Sequence, residues 1–426
     1  MAGSVSSVEQ PVSRAMAWWV WALAVTFVVY LFSFQTGYAI VNTNVQNDLK
    51  LSVAQVGTIA AIYTWAFAVC QFFGGALLDR LGSRKVLPIS IALVTIGIFI
   101  FANAKSFEML LISQVVVAIG SCTGFVGAGY IGGKWFGMAK FSLMFGLVQV
   151  MAALTSAFSQ NLIGLALGAM TWRTLFNFTG MFGILLLALG ILYIRNPQPV
   201  VSDHHGGVGE FFASVVAGML EVARIGHVWV ASFVGALAFG AMLALGVVWM
   251  PKLLQVHGLS EATANFGSSM LWLGLAAGSA VVPYWSDVMR KRKLPIVIGT
   301  AVQLAALLIL VYVGGLGSTA ALVLCFIFGF ANASHMLAFS SAADVVEPHQ
   351  IGTSAAIVNG IMFIFGGILI SRPGVRIGWG LEEGISPKSL EIAQYAGLPI
   401  VLALVVALVV ALLMRESFPA NHGNSP

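Results

Sequence analysis

The sequence places one ionisable side chain, His335, deep inside an apolar stretch. It ends the run Gly329-Phe330-Ala331-Asn332-Ala333-Ser334-His335. Residues three apart share a helix face, so Asn332 and His335 would point the same way. Because imidazole titrates near neutral pH, this pair could contact a small molecule or take up and release a proton. The alternative is a neutral histidine that joins two helices by a hydrogen bond.

Further uncharged side chains lie where they could line a passage between helices. Amides, hydroxyls and aromatic rings can bind a polar solute, and they can also hold neighbouring membrane helices together. Both interpretations stay open for each residue. The candidates are Tyr30, Gln35, Tyr38, Trp65, Ser121, Thr123, Gln149, Trp272 and Asn359.

No group of residues has the spacing of a catalytic, metal or cofactor site. Cys70, Cys122 and Cys325 lie in apolar runs, where they act as small hydrophobes. No segment resembles a phosphate-binding glycine loop. All formal charges fall in loops or near the ends of apolar runs. A central charge costs at least ~2.5–3.5 kcal/mol in a membrane and is usually kept for function. Its absence argues against an embedded carboxylate proton carrier or an arginine clamp, and we expect neither an enzyme nor a cofactor.

The elements that must position these residues are membrane helices. The chain has 426 residues, of which 59% are hydrophobic and only 8% charged, and its mean hydropathy is +0.96. Soluble proteins carry ~25% charged residues, so the composition excludes soluble enzymes, disordered chains and secreted disulfide scaffolds. The net charge of +5 is spread over short loops, so no nucleic-acid surface is expected.

Apolar runs of about 20 residues predict membrane spans. The fold class that follows is an all-α membrane protein with twelve transmembrane helices in two six-helix halves. The predicted spans lie near 17–41, 55–78, 87–104, 109–132, 141–165, 174–195, 227–250, 263–286, 294–314, 319–341, 352–371 and 394–414.

The spans divide the chain into predicted regions. These are an N-terminal tail (1–16), a first half (17–195), a linker (196–226), a second half (227–414) and a C-terminal tail (415–426). Most of the 20 Lys and Arg residues fall on one side, which predicts that both termini are cytoplasmic. In the linker, His204 and His205 are expected to be solvated, and 210–224 to form an amphipathic surface helix.

A charged loop follows the second span. It reads Gly75-Ala76-Leu77-Leu78-Asp79-Arg80-Leu81-Gly82-Ser83-Arg84-Lys85. Gly75 would let two helices approach closely, and Gly82 would allow a tight turn. Asp79 could pair with a neighbouring helix N-terminus or with a basic side chain. The basic residues would hold the loop in the cytoplasm.

This pattern, G-x-x-x-D-R-x-G-x-R-K, resembles the cytoplasmic signature of the major facilitator superfamily position for position. A degenerate second copy after the eighth span keeps Asp287, Arg292 and Lys293. The resemblance implies two halves that rock about a site near the bilayer midplane, with spans 1, 4, 7 and 10 lining the cavity. It also implies that the signature loop stabilises the outward-open state as a conformational switch.

Two amides resemble those of one branch of the superfamily, the anion:cation symporters of organic acids, sugar acids and sugar phosphates. Gln149 is similar to a solute-binding glutamine of the fifth helix, and Asn359 to an asparagine of the eleventh. The chain departs from that branch because its first span has no basic residue and its first and fourth have no embedded acid.

The predicted function is secondary active transport of a small organic solute, an organic acid or related metabolite, by alternating access. The expected setting is a monomer in the lipid bilayer of a bacterial inner membrane, with symport of a proton as one coupling mode. The alternatives are import of a neutral or zwitterionic solute such as an amino acid or nucleoside, siderophore import, drug efflux, and a non-transporting sensor.

Overall fold

The computed structural model describes residues 13–51, 53–137, 140–196, 208–386 and 389–419. Twelve helical stretches in these ranges are long and apolar enough to cross a membrane. The prediction of an all-α membrane protein with twelve spans is confirmed. His204 and His205 lie outside the described residues, and the predicted residue bounds of the tails, halves and linker stay a prediction.

Three of the first six spans begin at a polar side-chain cap. The side chains of Ser13, Ser106 and Thr171 each accept a hydrogen bond from the backbone three residues on, which satisfies a free N–H of the first turn. The helices are α1 (Arg14–Leu49), α2 (Val53–Leu81), α3 (Ser83–Ala102), α4 (Phe107–Ser121), α5 (Gly124–Phe136), α6 (Phe141–Leu167) and α7 (Trp172–Tyr193).

The second set of six spans follows α8 (Val208–Ala223), which lies where the amphipathic surface helix was predicted. The eleventh span is longer than the predicted 352–371, because its helix continues to Glu382. The helices are α9 (Gly226–Leu243), α10 (Met250–Val256), α11 (Glu261–Met289), α12 (Lys293–Tyr312), α13 (Ser318–Asn332), α14 (Leu337–Ala343), α15 (Ile351–Glu382) and α16 (Leu390–Leu413).

Three spans have irregular backbone inside the bundle. The fourth is interrupted at Cys122 and Thr123, between α4 and α5. The seventh contains a π-helical turn at Ala244–Trp249, and the tenth a 3₁₀ turn at Ala333–Met336. The fourth and tenth spans are equivalent in the two halves, so their breaks repeat. Membrane proteins tolerate such breaks where neighbouring helices cover the backbone.

The two halves meet most closely where glycines remove side chains. A Cβ on Gly75 of α2 would lie 1.7 Å from the carbonyl oxygen of Gly352 on α15. A Cβ on Gly146 of α6 would lie 2.3 Å from the carbonyl oxygen of Ser279 on α11. Both contacts join a helix of the first half to one of the second. The backbones can therefore touch only while these positions remain glycine.

We expect Gly75→Ala to lower the free energy of unfolding by about 1–3 kcal/mol, because the added methyl group forces α2 away from α15. The measurement is the unfolding temperature of the purified protein in detergent. Gly164→Ala is the matched control, since a Cβ there meets no atom within 4 Å. Equal unfolding temperatures for the two variants would contradict the packing argument.

Candidate functional site

Asp79 joins the two halves at one end of the bundle, which we call the signature end. Its carboxylate accepts hydrogen bonds from the backbone N–H groups of Gly352 (3.2 Å) and Thr353 (2.8 Å). The hydroxyl of Thr353 donates a third, at 3.0 Å. All three donors lie in the first turn of α15, where the helix dipole favours a negative charge. The helix-end pairing expected for Asp79 is the one present. Gly82 makes the following turn with a φ of 74°.

Further contacts close the signature end between the halves. The hydroxyls of Ser142 on α6 and Ser340 on α14 are 2.8 Å apart. The ring of Phe145 stacks on that of Phe339, with centroids 4.9 Å apart. Lys134 donates from Nζ to the carbonyl oxygen of Pro348 at 3.4 Å. Helices of both halves thus block a path to the interior from this end.

The second copy of the loop pairs its charges within one half. Arg292 is 5% exposed, and its guanidinium contacts Asp287 and, at 2.9 Å, Asp344. The backbone N–H groups of Arg292 and Lys293 donate to the carboxylate of Glu416, which covers the start of α12. Asp287 therefore pairs with a side chain of its own loop, whereas Asp79 reaches the opposite half. Burial raises the pKa of Asp344 to about 6, although Arg292 opposes the shift.

A cavity of about 400 Å³ lies between the two halves, away from the signature end. Tyr63 on its wall is 16 residues before Asp79 on α2, about 24 Å along the helix. Both halves contribute walls, from α1, α2, α4 and α6 on one side and α9, the π turn, α11 and α15 on the other.

The polar part of the cavity lining consists of amides, hydroxyls and one indole. None of the lining residues within the described ranges carries a formal charge. The Gln114 side-chain nitrogen is buried and has no hydrogen-bond partner in the described part of the chain. The Tyr63 hydroxyl is buried beside the hydroxyl of Ser121. The polar lining residues are Gln35, Thr36, Tyr38, Asn42, Tyr63, Thr64, Gln114, Ser156 and Trp272.

Three of the predicted site residues line this cavity: Gln35, Tyr38 and Trp272. The indole N–H of Trp272 donates to the carbonyl oxygen of Gly246 at 3.3 Å, across the π turn. That bond orients the ring at the cavity wall.

The other predicted residues lie outside the cavity lining, and most make contacts within the bundle. The hydroxyl of Tyr30 donates to Thr95 at 3.5 Å and that of Thr123 to Ser90 at 2.6 Å, both inside the first half. These bonds support the helix–helix interpretation. Ser121 and Gln149 are buried, Trp65 is 58% exposed on another face of α2, and Asn359 bonds to Gln71.

His335 is one aromatic ring away from the cavity. It is 3% exposed, and its ring stacks on that of Phe239, a lining residue, with centroids 4.5 Å apart. Nδ1 lies 2.8 Å from the carbonyl oxygen of Asn332, so Nδ1 carries the proton that this bond requires. The amide of Asn332 donates to the carbonyl oxygen of Ala238 at 2.8 Å. Both residues face the packed interior of the second half, and their role at a solute site stays a prediction.

Tyr63, Thr64, Gln114 and Ser156 line the cavity and were missed by the sequence interpretation. One signal could have found Tyr63. On α2 the residues Tyr63, Phe67, Gln71, Gly75 and Asp79 recur every four positions, so they form a stripe that winds slowly around the helix from the signature aspartate to the tyrosine.

A second pocket, of about 530 Å³, lies between α10, α12, α15 and α16. Most of its lining side chains are apolar, and the polar ones include Gln255 and Lys252, whose amine lies 4.6 Å from the ring of Trp249. All its walls belong to the second half, so motion between the halves would not open it to either side. The cavity between the halves is therefore the better candidate site.

Two helical halves around a central cavity, closed at one end, define a class of membrane protein that moves small solutes. Residues 22–371 match the family described as the Major Facilitator Superfamily. The chain belongs to this superfamily, a family of transporters, and its small-molecule solute and its membrane setting follow from that.

Relatives of known description are distant. The probable galactarate/D-glucarate transporter GudP of Bacillus subtilis (strain 168) is 23% identical over 61% of this chain and 64% of its own length. The hexuronate transporter of the same organism is 23% identical over 72% and 76%. The probable galactarate/D-glucarate transporter GarP of Escherichia coli (strain K12) is 23% identical over 81% and 84%.

A solved structure shares the fold. A bacterial homologue of the human lysosomal transporter Spinster, in an inward-facing and occupied conformation, matches with a TM-score of 0.62 and 19% identity. The match covers 94% of this chain and 97% of that one.

We expect Asp79→Asn to loosen the signature end while leaving the protein inserted in the membrane. The amide keeps one acceptor but loses the charge, and a hydrogen bond to a charged group contributes about 1.5–3 kcal/mol. With Cys70, Cys122 and Cys325 replaced by alanine, Ser142→Cys reports exposure of the closed interface to N-ethylmaleimide. Labelling should become about ten-fold faster or more. The control is Asp48→Asn, which removes an exposed aspartate paired with Arg173. Unchanged labelling would contradict the role of Asp79.

The raised pKa of Asp344 predicts a pH dependence of stability. The folded state holds this proton up to about pH 6, whereas an unfolded aspartate releases it near its ordinary value of 3.8. The contribution of protonated Asp344 to the free energy of unfolding is therefore complete below pH ~4 and is lost as the pH rises to about 6. We expect the wild type to lose stability relative to Asp344→Asn over that window, as measured by unfolding temperature in detergent. Parallel pH profiles for the two proteins would contradict this.

Proposed function

We propose that this protein is a secondary active transporter of a small polyhydroxylated organic acid or related metabolite, working by alternating access. The proposed setting is a bacterial inner membrane, with both termini and the signature end in the cytoplasm. In that orientation the described conformation has its cytoplasmic end closed and its cavity on the outer side. A monomer is sufficient for this mechanism, because one chain supplies both halves of the cavity wall.

The lining of the cavity carries this proposal. Leaving a buried polar group unpaired costs about 1–3 kcal/mol. Gln114 leaves a buried donor without a partner within the described part of the chain, and the Tyr63 hydroxyl also lines the cavity. A solute with hydroxyl and carboxylate oxygens would supply the acceptor that Gln114 lacks. The volume of about 400 Å³ is within the range of small-molecule sites.

The relatives support the same chemical class. Their names refer to galactarate, D-glucarate and hexuronate, which are sugar acids. These solutes combine several hydroxyl groups with carboxylates, and the polar side chains around the cavity suit both. Neutral N–H and O–H donors can bind a carboxylate without an arginine.

A neutral or zwitterionic solute, such as an amino acid or nucleoside, is the second candidate. One observation favours it: the described lining residues include no lysine or arginine to offset the charge of an anion. Burying an unpaired carboxylate is costly, whereas a neutral solute avoids that cost.

His335 is our candidate for carrying a coupled proton. Its ring lies behind Phe239, which separates it from the cavity. In a proton-coupled transporter, solute-induced stabilisation would be greater at pH 5.5 than at pH 7.5, and His335→Gln would remove that difference. A difference that persists in His335→Gln would assign the proton to another group.

We expect a sugar acid to raise the unfolding temperature of the purified protein, and Tyr63→Phe to weaken its binding by about 2- to 10-fold. At 100 times its dissociation constant a ligand adds about 2.7 kcal/mol of stability, while loss of one hydrogen bond removes about 0.5–1.5 kcal/mol. The panel comprises sugar acids, amino acids and nucleosides. Tyr284→Phe is the matched control, because Tyr284 is 59% exposed on α11. Stabilisation by amino acids or nucleosides alone would favour the second candidate.

A further inference from the structure

One face of α2 and one face of α15 form a continuous seam from the cavity to the signature end. Next to the cavity, the rings of Phe67 and Phe363 meet edge to face, with centroids 4.6 Å apart. At the far end, Gly75 contacts the backbone of Gly352 beside Asp79. Each helix belongs to a different half, so the halves cannot separate at the signature end without breaking this seam.

The middle of the seam holds a pair of buried amides. The side-chain nitrogen of Asn359 donates to the side-chain oxygen of Gln71 at 2.9 Å. Gln71 is 0% exposed and Asn359 is 3% exposed, and neither is among the residues that line the cavity. A Cβ on the adjacent Gly360 would lie 3.1 Å from the ring of Phe72, so the two helices are close on both sides of the pair.

Packing alone does not account for this pair. The side-chain nitrogen of Gln71 is buried without a hydrogen-bond partner among the described residues. Two apolar side chains of similar size would fill the space with no polar group left unpaired. The pair makes only one of the bonds open to it, and hydrogen bonds between membrane helices average only about 0.6 kcal/mol. Such a contact specifies how the helices meet while remaining easy to break.

We propose that Gln71 and Asn359 form a latch between the halves, which holds the seam closed in this conformation and releases when the signature end opens. The inference rests on the proposed function to the extent that it assumes alternating access. When α2 and α15 separate, both amides become exposed to the newly opened path. Water or solute oxygens there replace the lost partner and satisfy the free N–H group of Gln71. Both are positioning residues, because they act on the halves rather than on the solute in the cavity.

The test measures exposure of the closed interface without any solute. In the cysteine-free protein carrying Ser142→Cys, the rate of N-ethylmaleimide labelling is compared with and without Gln71→Leu and Asn359→Leu. One hydrogen bond shifts an equilibrium by about 2- to 10-fold, so each variant should label faster by that factor. Because the two residues share one bond, the double variant should label no faster than the faster single variant.

Two further variants separate a latch from a general loss of stability. Gln303→Leu removes an equally buried amide, which donates to Ala238 within the second half, and should leave labelling unchanged. Exchanging the two residues, Gln71→Asn with Asn359→Gln, keeps the combined length and should restore slow labelling.

Unchanged labelling rates in both single variants would overturn the latch, as would a double variant whose labelling rate is raised by the product of the two single effects. Equal acceleration of labelling by Gln303→Leu, or fast labelling that persists after the two residues are exchanged, would also overturn it. Loss of solute-induced stabilisation in Asn359→Leu with normal labelling would instead make Asn359 a solute ligand. The labelling assay needs no solute, so it tests the latch independently of the proposed function. If the proposed function is wrong, the variants still label as expected, but no solute of the panel stabilises the protein.

Discussion

The structure depends on the contact between α2 and the first turn of α15. Two glycines bring these backbones together, and the carboxylate of Asp79 binds the free N–H groups that the short distance makes available. Neither feature is sufficient alone. Without the glycines the carboxylate would not reach the opposite half, and without the carboxylate the helix end would be left with unpaired donors. Closure of one end of the bundle therefore combines a steric and an electrostatic condition at one point.

The cavity differs from this closed end in chemistry. Charges occur near the ends of the spans, where Arg292, Asp287 and Asp344 neutralise one another. The described cavity lining has only neutral polar groups. A neutral lining costs little to desolvate when the cavity empties, because no embedded charge must be covered by a counter-charge.

The sequence was sufficient for the fold because length and hydropathy determine a membrane helix almost independently of context. The signature loop could also be recognised from the sequence, because its residues are neighbours along the chain. The cavity lining was less predictable, because the rotation of each helix about its axis determines which residues face the cavity. Tyr63 and Thr64 line it, while Trp65, the next residue, does not. Gln71 was missed because its partner lies 288 residues away, and a single glutamine in an apolar run does not indicate which helix it meets.

The repeated breaks in the fourth and tenth spans bear on how the chain is made. Cys122, Thr123 and the residues of the 3₁₀ turn are all buried within the bundle. Lipid cannot satisfy the backbone groups that such breaks release, so these two segments gain their final shape only once neighbouring helices surround them. Each would leave the translocon as a plain apolar helix and acquire its break later, when its own half assembles. The irregularities thus form at a late stage of assembly, after the surrounding helices are in place.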